Sequence, residues 1–379
     1  MNTDAFEVNP QLLEQIKRQT RATDITHVEL IQSLWSGYGE LFRAHLSGST
    51  YHSVIVKHIN LPVMDSNDNT AAQSHPKGWN TALSHQRKIK SYQVEFHWYQ
   101  DYANQCSQDN RVPKCLYLEQ NGDDCLLILE DLATVGFSKV LTRADDVAIK
   151  ACLKWLGQFH GQFLFQNSAT KPQQQQTDSI NQTSNKNSNQ SSNKSRKVSN
   201  HLHTKLWQQG TYWHLDTRPD ELAALEDSRL KAAAQQIDAA LSNAPFQTLV
   251  HGDAKLANFC FTENHQQAAA VDFQYVGQGC GMKDVALLLS SVMNFSEGEA
   301  QITQWLDYYF NELMNSTKHH HPHICTDKLV QTWRPLYSIA WADFQRFVKG
   351  WSPNHFKINP YTEALTAKAL EQLKGKQWL

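Results

Sequence analysis

The stretch that constrains this chain most is Thr248-Leu-Val-His251-Gly-Asp253-Ala-Lys255-Leu-Ala-Asn258-Phe-Cys-Phe261, followed by Ala269-Ala-Val-Asp272-Phe-Gln274. Two short apolar runs flank a polar loop, and a turn at Glu263-Asn264-His265 leads into a third run that ends on Asp272. Whatever surrounds it, this pattern hangs one carboxylate and one amide on a loop held at both ends by buried strands. It also presents a second carboxylate at the end of the neighbouring strand.

Those groups are what phosphoryl transfer asks for. One carboxylate orients the acceptor hydroxyl and accepts its proton, and oxygen ligands hold magnesium against nucleotide phosphates. Asp253 and Asn258 stand in the D-x-x-x-x-N relation of the protein-kinase catalytic loop, and Asp272-Phe273 follows where that family carries its metal-binding Asp-Phe pair. With His-Gly-Asp at its head, the loop resembles the aminoglycoside phosphotransferase and choline kinase superfamily. Together with Asp272-Phe273-Gln274 it looks most like the ecdysteroid kinase-like branch, which has many bacterial members.

The rest of the chain supplies further parts in the order that resemblance requires. Residues 10 to 22 have the spacing of a short amphipathic helix, and strands are predicted at His27–Leu34, Glu40–Leu46 and Tyr51–Ile59, a run that favours an antiparallel sheet. Ser36-Gly37-Tyr38-Gly39 lies between the first two strands; it is either a plain hairpin turn or a loop over phosphates, with Gly37 and Gly39 as the candidate contacts. Lys57 sits in the apolar run Val54-Ile-Val-Lys57, and on its own would read as a solvent-facing edge lysine. The resemblance instead makes it the clamp on the nucleotide phosphates, held by a glutamate of the next helix. That helix is predicted at about Ser84–Asn104, where Glu95, Trp98 and Tyr99 resemble the E-x-x-F-Y element of the ecdysteroid kinase-like family, so Glu95 is the expected partner. Residues 60 to 83 read as a polar excursion.

Further strands at Lys114–Leu118 and Cys125–Leu129 run into Glu130-Asp131-Leu132, which is either a plain strand end or the hinge between lobes. In the second case the backbone of Glu130, Asp131 and Leu132 binds an adenine edge. Ala144–Phe165 has helical spacing, with His160 read as structural. Residues 167 to 200 are rich in Gln, Asn and Ser with almost no apolar residue, the composition of a disordered insertion in a surface loop. Helical material is predicted at His203–His214 and Pro219–Leu241, and helices at Glu297–Thr317, Asp327–Gly350 and Thr362–Leu373. Asp284 in Asp284-Val-Ala resembles the aspartate that braces the catalytic loop of the superfamily. The tract Lys318–His323 lacks spaced partner ligands and reads as a loop.

Composition narrows the class. With 379 residues, 40% of them hydrophobic, the chain can bury a large core. A net charge of -2, from 35 basic and 37 acidic residues, offers no general field for nucleic acid or an anionic membrane. Seven cysteines without a C-x-x-C pair suggest a reducing compartment, and no apolar run approaches the roughly 20 residues of a membrane span. The expectation is a cytoplasmic protein with neither nucleic-acid nor membrane partners.

The resemblance implies an α+β, two-lobed protein-kinase-like fold. Residues 1–130 would form a nucleotide-binding lobe on a small antiparallel sheet, and 131–379 a mainly helical catalytic and acceptor-binding lobe. It implies ATP and Mg2+ as cofactors, with Asp253 as base, Asn258 and Asp272 as metal ligands and Lys57 as phosphate clamp, acting on a hydroxyl of a small molecule. Lys255 would neutralise the transferring phosphate or else face solvent. Tyr337, Trp341 and Asp343, on one predicted helix, are either core or the wall of an acceptor pocket. Amino alcohols such as choline or ethanolamine, hydroxylated steroids or other polyols, and aminoglycosides stay open as acceptors. A nucleotide-binding pseudokinase is the alternative of another class.

Overall fold

The computed structural model describes residues 6–34, 38–60, 81–122, 124–166, 205–293 and 299–374. Gly37, most of the 60–83 excursion and the 167–200 insertion therefore lie outside the described residues. The first described elements are helix α1 (Pro10–Thr20), capped by the Asn9 carboxamide, and strands β1 (Asp24–Ser33), β2 (Gly39–Ser47) and β3 (Ser53–Asn60). Helix α2 (Thr81–Asp101) follows, then β4 (Cys115–Asn121) and β5 (Asp124–Glu130). The five strands form one antiparallel sheet in the order β1-β2-β3-β5-β4.

The alternation of β3 places its lysine. Successive side chains of a strand point to opposite faces. Val54 and Val56 join Phe42, Ala44, Leu126 and Ile128 under α1, where Leu12 and Ile16 close a small core. Ile55 and Ile59 face the other way, into the core that Tyr92, Trp98 and Tyr99 of α2 share with the rest of the chain. Lys57 has the same parity as Ile55 and Ile59, so it emerges on the α2 side. It is a central-strand residue paired with Leu41 and Leu127, and not an edge lysine.

Beyond β5 the chain is mainly helical. A short strand β6 (Lys139–Val140) precedes helix α3 (Asp146–Gln162) and strand β7 (Phe165–Gln166). Helices α4 (Pro219–Ala224), α5 (Ser228–Ala232) and α6 (Ala234–Ser242) lead to β8 (Phe246–Val250), the hairpin β9 (Phe259–Phe261) and β10 (Ala268–Ala270), and β11 (Gly277–Gly279). Helices α7 (Met282–Val292), α8 (Glu299–His320), α9 (Thr326–Trp333), α10 (Leu336–Trp351) and α11 (Pro360–Lys374) complete the described chain. The fold is α+β, with an antiparallel sheet in the N-terminal part and a helical C-terminal part. No helix among the described residues is long and apolar enough to cross a membrane.

Four expectations need correction. Residues 205–214 are irregular and not helical, because Trp207, Gly210, Thr211 and Tyr212 spend their backbone groups on Gly252 and on Tyr275, Val276 and Gln278. The Pro219–Leu241 material is three short helices; Asp227 caps a new start by accepting from Leu230 N–H at 3.1 Å. The Asp327–Gly350 helix is divided at Arg334-Pro335, where proline supplies no N–H to continue the ladder. Lys318–His320, read as loop, are the last turn of α8.

One aromatic column ties the two parts together. The Trp98 ring of α2 stacks on Phe273 with centroids 4.4 Å apart, Phe273 lies 4.6 Å from His251, and Trp155 and Phe159 of α3 flank the same rings. Offset stacking of this kind adds about 0.5–1.5 kcal/mol per pair beyond burial. Its consequence is positional: α2, the segment after β10 and the loop after β8 share one packed spine.

Candidate active site

The loop His251–Asn258 joins β8 to β9, and its backbone is fixed from below. Asp284, fully buried at the start of α7, accepts the N–H of His251 at 2.6 Å and of Gly252 at 3.0 Å. His160 of α3 bonds the same carboxylate at 3.1 Å and the Tyr309 hydroxyl at 2.8 Å, which gives this histidine the structural place its apolar helix suggests. Gly252 has φ +80°, and a Cβ there would meet the Tyr275 carbonyl at 2.0 Å, so glycine is required for both dihedral and space. His251 accepts from Asp253 N–H at 3.2 Å and donates Nε2–H to the Val271 carbonyl at 3.0 Å, joining the loop to the strand that leads to Asp272. Burial lowers its pKa, in keeping with a neutral ring.

At the top of that loop, the Asp253 carboxylate receives Lys255 Nζ at 2.9 Å and Asn258 Nδ2 at 3.1 Å, both on Oδ2. Its Oδ1 is buried without a hydrogen-bond partner among the described residues. Burial pushes the carboxyl up to about 6, with Asp272 acting in the same direction and Lys255 against it. Lys255 is 43% exposed at its side chain, so it bridges from solvent to the carboxylate.

Asp272 has φ +68°, a left-handed conformation unusual for a non-glycine residue. Its side chain is 35% exposed and its Oδ1 also lacks a hydrogen bond. Burial works against its charge, but Lys57, Lys88 and Lys255 outweigh it and keep its pKa low. Lys57 Nζ stands 3.8 Å from Asp272 Oδ1 and 2.5 Å from Glu95 Oε2. Lys57, Glu95, Asp253, Asn258 and Asp272 are thus brought to one place.

The other expected residues fall differently. Gly39 has φ +132° and lies against the His58 carbonyl, where a Cβ would come within 2.0 Å, so close approach of β2 to β3 accounts for it. Glu130 is buried and bound to Arg111, and its backbone N–H donates to Lys114. Asp131 takes Ser53 Oγ at 2.6 Å, Arg43 Nε at 2.7 Å and Ala133 N–H at 3.1 Å, while Leu132 is buried beside Phe137 and Ala269. The side chains at 130–132 are therefore turned to structural partners, and of their backbone the Glu130 N–H and the Asp131 and Leu132 carbonyls are already bonded, to Lys114, Thr134 and Phe137. Tyr337, Trp341 and Asp343 are all buried in α10. The Asp343 carboxylate is occupied by Trp213 Nε1 at 2.9 Å, Arg346 at 3.0 Å and Lys283 at 3.6 Å, and the aromatics pack under α11 through Tyr361. The structure does not bring these three to the loop; the stripe at helical spacing is core.

Two lysines near the site carry no signal in the sequence. Lys88 of α2 donates to Gln274 Oε1 at 2.7 Å and lies 4.6 Å from the Tyr92 ring centroid. It sits seven residues before Glu95, hence on the same helix face, but sequence spacing alone did not single it out. Lys357, after α10, donates to Ser290 Oγ at 3.0 Å and lies 5.1 Å from the Phe344 ring. Neighbouring Ser291 accepts Leu256 N–H of the loop, and Asp253 acts on Lys357 through space. Nothing in the irregular segment 352–359 signals this.

A family model described as "Ecdysteroid kinase-like family" matches residues 75–321. No curated protein sequence matches the chain. Among solved structures, the chain is similar to an ethanolamine kinase of Plasmodium vivax (12% identity, 100% of this chain and 94% of that one, TM-score 0.44). It is also similar to a choline kinase of Cryptosporidium parvum (10%, 97% and 96%, TM-score 0.43) and to an aminoglycoside phosphotransferase of Streptomyces rimosus solved with ADP and streptomycin (11%, 89% and 97%, TM-score 0.40).

Proposed function

The chain belongs to the ecdysteroid kinase-like family, and from that premise we propose that it is a small-molecule kinase that moves the γ-phosphoryl group of ATP to an alcohol hydroxyl. The observation that carries the proposal is the pair of carboxylate oxygens without a hydrogen bond among the described residues, Asp253 Oδ1 and Asp272 Oδ1, the second in ion-pair range of Lys57 in the Lys57–Glu95 pair. A buried carboxylate oxygen without a donor costs free energy unless a ligand completes it.

The donor set fits magnesium, which takes a few protein oxygens and leaves the remaining positions to phosphate and water. Asp272 is held ionised, and the Asn258 amide nitrogen is committed to Asp253, which leaves the Asn258 carbonyl oxygen as the second ligand. When bound, the ion neutralises charge on the phosphate oxygens.

The chain's own groups then divide the work. Lys57, fixed by Glu95, binds the nucleotide phosphates, and the backbone of Glu130–Leu132, where the sheet passes into the helical part, meets the adenine edge. We take that segment as the boundary of two lobes. Asp253 accepts a hydrogen bond from the acceptor hydroxyl on Oδ1 and takes its proton as the phosphoryl group leaves ADP. A pKa of about 6 keeps this group ionised at neutral pH yet close enough to serve as base. Lys255 neutralises the transferring group from the solvent side.

The test is ADP release across a panel of alcohols in the presence of magnesium and ATP, with Asp253→Asn as control. Turnover by the wild type that is lost in Asp253→Asn is expected. Full activity in Asp253→Asn would overturn the mechanism, and magnesium-ATP binding without turnover of any alcohol would favour a nucleotide-binding pseudokinase instead.

A further inference from the structure

Two ammonium groups flank the Tyr92 ring, and among the described residues only one of them has a carboxylate partner. Lys57 Nζ, 5.8 Å from the ring centroid, has Glu95 and Asp272 as carboxylate partners. Lys88 Nζ, 4.6 Å from the same centroid, has a neutral amide oxygen, that of Gln274, as its hydrogen-bond partner among the described residues. An ammonium offers three donors, and the Gln274 bond uses one. A half-buried cation next to another cation is unfavourable unless an anion joins them. Burial, with Lys57 second, lowers the Lys88 pKa to about 8, and Asp272, Glu95 and Asp253 act on it through space without forming an ion pair.

Gln274 explains how the side chain is held. Its Oε1 accepts from Lys88 Nζ at 2.7 Å and from Ser91 Oγ at 3.2 Å, and its backbone carbonyl accepts Trp207 Nε1 at 2.8 Å. The glutamine is 5% exposed and two residues beyond Asp272. A residue that ties the end of the Asp272 segment to α2 also fixes where the lysine points its remaining donors.

We propose that Lys88 is a second phosphate-binding residue, which engages the terminal phosphate of the nucleoside triphosphate while Lys57 holds the inner ones, and that Gln274 positions it. The inference rests on the kinase reading above and adds to it a residue outside the Lys57–Glu95 pair. It accounts for a lysine on the helix face that carries Glu95, and for glutamine at a position where a smaller residue could not reach α2.

The experiment is calorimetric binding of ATP, ADP and AMP to the full chain, with no acceptor present. Lys88→Met is expected to weaken ATP by about tenfold or more, the loss of one charge-assisted contact, while AMP stays within about twofold. Lys88→Arg keeps most of the ATP affinity, and Gln274→Ala gives a loss in the same direction but smaller. ATP affinity unchanged in Lys88→Met would overturn the proposal. So would equal weakening of ATP and AMP with a lowered melting temperature, which would mark the lysine as purely structural. Absence of any nucleotide binding by the wild type would remove the kinase reading itself and this proposal with it.

Discussion

Asn258 donates one amide nitrogen to two acceptors of Asp253, the backbone carbonyl at 2.8 Å and the carboxylate Oδ2 at 3.1 Å. The amide therefore sets the rotation of the carboxylate and its own carbonyl direction in a single arrangement. Asn258→Asp replaces the donor by a second carboxylate about 3 Å from Asp253, where like charges cannot both ionise freely. The expected outcome is a loss of turnover of at least ~100-fold at pH 7, partly recovered as pH is raised to deprotonate the pair. A pH–rate profile unchanged from wild type would sink this reading.

Asp253 makes a further prediction in the metal-free protein, where the carboxylate is buried and its pKa lies at about 6. The unfolded chain binds this proton only below about 4. Between those values the folded state holds the proton and the unfolded state does not, so stability falls as pH rises from 4 to 6 and the cost persists above 6. Two pH units correspond to about 2.7 kcal/mol, an upper figure because Lys255 reaches solvent. Asp253→Asn removes that cost, so urea denaturation at pH 8 should find the inactive variant more stable than wild type by about 1–3 kcal/mol, with the gain fading near pH 4. Equal stability at both pH values would contradict it.

What the sequence made legible were residues with a fixed spacing or a fixed place in an apolar pattern. Asp253, Asn258 and Asp272 lie just outside short strands whose ends leave them little freedom, and period two in β3 carries Lys57 to the α2 face once the sheet is antiparallel. Lys88 and Lys357 were not legible, because a lysine on a helix or in a loop is ordinary until tertiary contacts show which face is turned to the site. The aromatic stripe of α10 had the opposite fate. Helical spacing says that one face is apolar, but not whether the neighbour is a ligand or another helix, and here α11 supplies the neighbour. The short breaks at Leu225–Asp227 and at Arg334-Pro335 fell inside periodic runs, where periodicity carries no signal for interruption.

Lys57 and Glu95 are both nearly inaccessible, at 6% and 3% side-chain exposure. Breaking such a pair by removing one partner leaves a buried charge and costs about 3–5 kcal/mol, whereas removing both costs far less. Lys57→Met should therefore destabilise more than the double variant Lys57→Met/Glu95→Gln, with a coupling of at least about 1 kcal/mol in urea denaturation. Nucleotide affinity should stay low in both, because neither restores the cation. Additive effects on stability would show that the two side chains do not depend on each other.

Asp284 bears on catalysis only through the backbone it holds. Asp284→Ala leaves the N–H groups of His251 and Gly252 buried without acceptors, each at about 1–3 kcal/mol. The expected outcome is a destabilisation of about 3–5 kcal/mol and a fall in kcat with the KM for ATP little changed, since Lys57 and Glu95 hang from the sheet and α2. A fall in ATP affinity equal to the fall in kcat would show instead that the nucleotide side collapses with the loop.

Lys357 sets an electrostatic condition on the acceptor. Its ammonium is held by Ser290 Oγ at 3.0 Å and lies 5.1 Å from the Phe344 ring, with no carboxylate in ion-pair range among the described residues, while Asp253 acts on it through space. Burial brings its pKa down to about 8, so the group is mainly charged at pH 7. An acceptor that placed its own ammonium here would meet a like charge in a poorly solvated place, at a cost of about 1 kcal/mol or more at an effective dielectric near 20. Neutral or acidic alcohols should therefore be preferred over amino alcohols of the same carbon skeleton. Lys357→Glu should move the ratio of kcat/KM between the two members of such a matched pair towards the amine by about tenfold or more. The comparison is internal to each enzyme, so a general loss of activity in the variant does not affect it. A ratio that stays within twofold of wild type would place Lys357 outside the reach of the acceptor.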